Sequence, residues 1–153
     1  MMDRFEQFTS AISVITRYIQ KLERDEMEKH GLRGAFAQYL LVMNRHPEGI
    51  TAATVCELCD KDKAAVSRIL TEMEAKGLIV RESAGSAYRA QLVLTEAGKE
   101  AAEFVRRRAS IAVELAGEGI ADENRKQFYS TLNLIASNLQ TICREGIPEE
   151  TET

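Results

Sequence analysis

Between Asp62 and Glu82 the hydrophobic spacing changes once, and it changes at a glycine. Up to that point Val66, Ile69, Leu70 and Met73 recur at i, i+3, i+4 and i+7, which is one buried face of a helix. Asp62 stands where an N-cap belongs, and Gly77 supplies a left-handed stop. Past Gly77, "LIVRE" and "YRAQLVL" read as strands joined by the small polar tip "SAGS", a hairpin of modest length. A helix with a filled inner face, running straight into a hairpin, has little choice about what it turns outward. That outward set is Lys63, Ala64, Ser67, Arg68 and Thr71.

The elements before this run are also helical. Phe36, Tyr39, Leu40 and Met43 face inward from a helix over about Gly34 to Arg45, and "HPEG" from His46 makes a turn. Thr51 caps a short helix ending around Cys59, with Ile50 and Val55 as a hydrophobic staple and Val55 and Leu58 directed inward. After the hairpin, Thr95 caps a long helix offering Ala101, Phe104, Val105, Ala112 and Leu115 for packing, until Gly117 and Gly119 break it.

The two ends carry narrow apolar stripes. Phe5, Phe8, Ile12, Ile15, Ile19 and Leu22 alternate in steps of three and four, and so do Phe128, Leu132, Ile135, Leu139 and Ile142. Asp122 is the expected N-cap of the last helix, Gly146 its stop, with Pro148 just beyond. Such stripes pack against other helices, here against each other and against a second copy of the chain. Packing within one chain as a simple bundle is the alternative.

At 153 residues, with 44% hydrophobic and 29% charged residues, the chain is long enough to bury a core without staples. No apolar run reaches the ~20 residues of a membrane span, and "MMDRFEQFTS" lacks a signal peptide's apolar centre, so a cytoplasmic location and no membrane partner are expected. Three cysteines, Cys56, Cys59 and Cys143, do not imply a disulfide framework. "DKDKAA" lacks the central glycine of a calcium loop, and there is no phosphate-cradling glycine loop, G-x-S-x-G or H-E-x-x-H. No enzyme activity, cofactor or metal is expected.

Two short capped helices joined by a tight turn, followed by a hairpin, are the parts of a winged helix-turn-helix, whose second helix enters the DNA major groove. Arg68 suits bidentate pairing with guanine or a phosphate clamp, Lys63 suits phosphate, and Ser67 either. Ala64 and Ala65 allow close approach and contact with thymine methyls. Thr51 can present hydroxyl and amide donors to a phosphate. The whole chain carries a net charge of −4, but between Lys61 and Arg89 six basic residues face four acidic ones, a local +2. Binding responds to the local field rather than to the total.

"TAATVCELCDKDKAAVSRILTEMEAKGLIVRE" followed by "YRAQLVLTEAG" resembles the multiple-antibiotic-resistance regulator (MarR) family of bacterial transcription regulators, specifically over about Ile50 to Gly98. The resemblance implies a mainly α fold with a small β-hairpin wing, a winged helix-turn-helix flanked by N- and C-terminal dimerisation helices. It implies residues 1–30 as the N-terminal dimerisation helix, 31–98 as the DNA-binding domain and 99–146 as the C-terminal dimerisation helices; residues 147–153, polar and acidic, are expected to be a disordered tail. It further implies a homodimer on a near-palindromic double-stranded operator, acting as a ligand-responsive repressor. Thr51, Lys61, Lys63, Ala64, Ser67, Arg68 and Thr71 are the DNA-binding candidates on the helix pair, with Arg81 and Arg89 flanking the wing. A small-molecule effector would sit between arm and winged domain, with His30, Arg33, Tyr39 and Arg107 as candidate lining. Family wings carry charged tips, whereas "SAGSA" here has none, and Arg89 on the returning strand is the nearest basic residue.

Two rival readings remain. The uncharged wing and negative total charge fit a winged-helix dimer acting through protein–protein contact. Cys56 and Cys59 form a C-x-x-C that fits a thiol- or metal-responsive switch, although beside Val55 they read first as small buried hydrophobes. Cys143 reads as interface packing, and the first helix lacks the reactive cysteine that oxidant-sensing members of the family often carry there.

Overall fold

The structure, a computed structural model, describes residues 3–82 and 90–150. Its elements run α1 (Arg4–Lys29), α2 (Phe36–Asn44), α3 (Ala52–Cys59), α4 (Lys63–Ala75), β1 (Ile79–Glu82), β2 (Gln91–Leu94), α5 (Glu96–Ala116) and α6 (Asp122–Glu145). The strands pair antiparallel, with Ile79 opposite Leu94 and Glu82 opposite Gln91. This is a mainly α winged helix-turn-helix. Ile50 adds a bridge to Leu92 that its place as a staple did not foretell, donating at 3.1 Å and accepting at 2.8 Å. The turn before α3 is thereby sewn to the wing.

The chain divides into two compact units, residues 1–112 and 113–153. In the first, Met27, Phe36, Leu40, Met43, Val55, Val66, Leu70, Met73, Ile79, Leu92 and Val105 are fully buried in one core. Local chemistry starts each helix where expected. Thr51 accepts from the Thr54 amide at 3.2 Å, Asp62 from the Ala65 amide at 2.8 Å, and Thr95 from the Gly98 amide at 3.1 Å. Each satisfies an amide that the first helical turn leaves without an intrahelical partner. Gly77, at φ +74°, ends α4 in a left-handed conformation that costs a residue with a Cβ more than it costs glycine.

Several expectations need correction. Leu58 is half exposed, because α3 buries the row through Val55 and Cys59, and Leu58 lies about a quarter turn from it. Cys56 is only half-buried, whereas Cys59 is fully covered. Ile69 is partly buried beside Val66, Leu70 and Met73. Leu115 is exposed, since it lies near the end of α5 beyond the buried Ala101 and Val105. In the second unit Asp122 is not the N-cap. Ala121 holds that position in extended conformation with no side-chain bond, and Asp122 is the first helical residue, where its charge favours the helix dipole. Arg125 secures the turn instead, donating to the Gly117 carbonyl at 2.8 Å and pairing with Glu114 at 2.6 Å. The expected tail is exposed through Glu150 and without helix or strand, and its last three residues lie outside the described ones.

One charged side chain is buried among the described residues. Glu26 on α1 meets Lys29 at 2.9 Å and Arg108 on α5 at 3.2 Å. The Lys29 ammonium, aided by Arg108 and opposed by burial, holds its carboxyl below the usual carboxylate range. Beside it, the ring of His30, the residue that ends α1, lies with its centroid 4.6 Å from that of Phe104 on α5.

The start of α5 is fastened to the end of α4. Thr95 donates its hydroxyl to the Gly77 carbonyl at 2.6 Å and its amide to the Leu78 carbonyl at 3.0 Å. Gly98 follows because no side chain fits there: a Cβ would sit 2.1 Å from the Leu78 carbonyl oxygen. Gly98→Ala must therefore force the backbone apart, and a loss of about 1–3 kcal/mol is expected as a lowered urea midpoint. An unchanged midpoint would show that this close approach is not maintained.

Candidate nucleic-acid interface

The inner face of α4 is held by Val66, Leu70 and Met73, and α4 contacts both α3 and β1. Burying each of these side chains favours the arrangement by about 1.5–3 kcal/mol, so the helix cannot rotate about its axis without losing most of it. The opposite face is consequently fixed outward. Lys63, Ala64, Ser67, Arg68 and Thr71 are all exposed, as is Lys61 in the preceding turn. The Arg68 guanidinium forms no ion pair among the described residues.

Asp60 makes the tight turn between α3 and α4 possible. It adopts the left-handed conformation, φ 50° and ψ 48°, which aspartate tolerates better than most side chains. The Lys61 amide then reaches back to the Cys56 carbonyl at 3.2 Å. This sets the approach of α4 relative to α3. Thr51 lies at the N-terminus of α3, half-buried, with its hydroxyl oxygen engaged by Thr54 as a cap. The first amides of α3 are the donors that end offers.

Arg81 is exposed on β1 but paired, its guanidinium lying 3.3 Å from Glu74 of α4. Arg33, considered for an effector cavity, instead pairs with Glu72 of α4. Neither pair is legible from spacing, because the partners lie in different elements and follow no helical period. Both carboxylates that α4 exposes in its C-terminal half are thus matched by arginines. Beside the basic N-terminal half stands the capping Asp62. Arg89 and the wing tip lie outside the described residues.

The remaining candidate lining residues separate. His30 stacks near Phe104, Tyr39 is buried, and Arg107 turns back to the Glu103 carbonyl at 3.4 Å. Two adjoining clefts do open beside α1 and α2, of about 570 and 430 Å³, sharing Gln20, Glu23, Gln38 and Leu58. Tyr39 lines the larger one, which also reaches Asp60 and Lys61 in the turn before α4. Burial lifts the Glu23 carboxyl above its ordinary value, against Arg45 and Arg24. Burial also pushes the Cys59 thiol up, which lowers its thiolate fraction and weakens the thiol-switch reading. Among the described residues no group of three or more His, Cys, Asp or Glu side chains is placed to hold a metal, and no helix is long and apolar enough to cross a membrane.

Comparison with known families decides what this helix pair belongs to: residues 30–90 match the MarR family model. That segment resembles the MarR family. The match takes in α2, α3, α4 and the outgoing strand of the wing, and ends before the "LTEAG" that leaves it. Solved structures extend the likeness of fold along nearly the whole chain. The crystal structure of MarR superposes with a TM-score of 0.79 at 24% identity, covering 95% of this chain and 99% of that one. A MarR transcriptional regulator from Methanosarcina mazei Go1 gives 0.78 at 23%, covering 93% and 94%. A MarR-family transcriptional regulator from Listeria monocytogenes, solved with a 26mer DNA, gives 0.75 at 19%, covering 99% and 100%. No curated protein matches the chain.

The segment that matches the family model is defined locally by its caps. Asp62→Ala removes the acceptor that holds the first turn of α4, the turn carrying Lys63 and Ala64. A stability loss of about 0.5–2 kcal/mol is expected in thermal unfolding, and a smaller or absent loss would mean the cap contributes little.

Proposed function

We propose that the chain is a homodimeric, sequence-specific DNA-binding transcription regulator that acts as a ligand-responsive repressor. The observation that carries this reading is the outward face of α4, pinned from behind by the core and basic at its N-terminal half. In the proposed complex α4 lies in the major groove. Arg68 and Ser67 face base edges or phosphate, Ala64 and Thr71 meet the groove floor, and Lys61, Lys63 and the N-terminus of α3 at Thr51 face phosphates. Arg81 and Arg89 would lie along the wing. The Listeria monocytogenes structure, solved with a 26mer DNA, supports this assignment by likeness of fold.

The homodimer rests on surface that water does not favour. On α1, Phe5, Phe8, Ile12, Ile15 and Leu22 are exposed, Phe5 by 72%. No residue of α6 is buried, and Phe128, Leu139 and Ile142 lie open on it. Stripes of this length on both terminal helices are larger than a monomer leaves uncovered and fit burial in a second copy. Two such subunits would offer two reading helices to successive major grooves of a near-palindromic operator, about one helical turn apart. An effector in the clefts beside α1 and α2 would bias that spacing through the turn before α4, shifting the population away from the DNA-bound state.

The wild-type protein should prefer its own upstream DNA over random duplex, with affinity falling as salt rises. Arg68→Ala should cost about 1–3 kcal/mol at the specific site and flatten the preference, measured by fluorescence anisotropy. Equal affinity for both duplexes at near-physiological salt would favour the protein-contact reading instead. Separately, Ile15→Asp places a charge in the proposed interface and should weaken dimerisation by more than about tenfold in sedimentation velocity. A wild-type monomer at micromolar concentration would remove the homodimer from the proposal.

A further inference from the structure

The two ion pairs on α4 are placed symmetrically about its exposed face. At about 100° per residue, Glu72 and Glu74 stand about 80° to either side of the line through Ala64, the middle of that face. Glu74 holds Arg81 on the wing flank, and Glu72 holds Arg33 on the other. The major groove is about 12 Å wide and a helix with its side chains nearly fills it, so groups on the two flanks of a seated helix lie nearest the two phosphate ridges.

Arg33 is also held in place from behind. It belongs to the turn between α1 and α2, where Gly31 at φ +84° lets the chain reverse and the Leu32 amide donates to the Met27 carbonyl at 3.2 Å. The Arg33 carbonyl accepts from the Phe36 amide at 3.0 Å, starting α2. Leu32 packs on the core, and a Cβ at Gly34 would come within 3.0 Å of the Glu28 carboxylate and 3.1 Å of the Arg24 Cβ. The turn is therefore seated on α1, yet the Arg33 side chain stays 57% exposed.

We propose that Arg33 is a DNA-contacting residue, clamping a backbone phosphate on the flank of α4 opposite the wing, with Glu72 as its positioning residue. The inference rests on the DNA-binding reading given above. Glu72 orients the guanidinium through one side of its planar fork and leaves other N–H donors for a phosphate oxygen. Pairing also removes the repulsion an unmatched carboxylate would exert beside the phosphate ridge. A contact of this kind adds affinity without sequence preference.

The test is an anisotropy titration of the full-length protein against upstream and random duplexes over a salt series. Arg33→Ala should weaken binding to both duplexes by roughly tenfold and lower the slope of log affinity against log salt by about one. Arg33→Lys should keep most of the slope, and Glu72→Gln should not reduce it. If Arg33 only braces α4, Arg33→Ala and Glu72→Gln will weaken binding alike with the slope intact, and the proposal is overturned. It is overturned alone if Arg68→Ala loses sequence preference while Arg33→Ala binds as wild type. If the wild-type protein shows no salt-dependent binding to either duplex, the DNA-binding reading fails and takes this inference with it.

Discussion

The burial of one face of α4 governs the rest of this molecule. Val66, Leu70 and Met73 are anchored in a core shared with α2, α3 and the wing, so the helix is fixed both in position and in rotation. A rotation of a single residue's worth would expose Leu70 or Met73 and bury Ser67 or Arg68 without partners. The penalty on both counts runs to several kcal/mol, a large fraction of what holds a domain of this size together. What the protein can present to a partner is therefore decided by what it must hide.

Around that helix the fold adds restraints at each end. Asp62 holds the first turn and Asp60 sets the reversal before it, so the N-terminal half arrives at a defined angle. At the far end, Gly77, Thr95 and Gly98 join α4, β1 and α5 through two hydrogen bonds and one close backbone approach. Ile50 ties the turn before α3 to the returning strand. A displacement in the cleft beside α1 and α2 can reach α4 through Asp60 and Lys61, which line that cleft and belong to the turn. Here the fold links the cleft beside α1 and α2 to the outward face of α4.

Charge is arranged locally. The total is −4, yet the two glutamates that α4 carries in its second half are each matched by an arginine from another element. Exposed pairs of this kind contribute little to stability. Their consequence is for the field: beside the outward face of α4 they cancel acid that would otherwise repel an anion. Net charge averages over surfaces far from this face, and the local field is what a partner meets there.

The sequence by itself determined the local signals: the caps at Thr51, Asp62 and Thr95, the stops at Gly77 and Gly146, the change of period after Gly77, and the stripes on α1 and α6. These depend on neighbours within four residues, where side-chain chemistry and helical spacing act directly. It also placed the outward residues of α4, because a filled inner face leaves only one alternative. Tertiary structure decided the rest. The exposure of Leu58 and the loss of Asp122 as a cap turned on small rotations and on Arg125 taking over the turn. The Ile50–Leu92 bridge, the Gly98–Leu78 approach, the Glu26–Arg108 contact and the pairing of Arg33 and Arg81 with α4 join residues far apart along the chain. No periodicity encodes such contacts; they exist only once the core has brought the elements together.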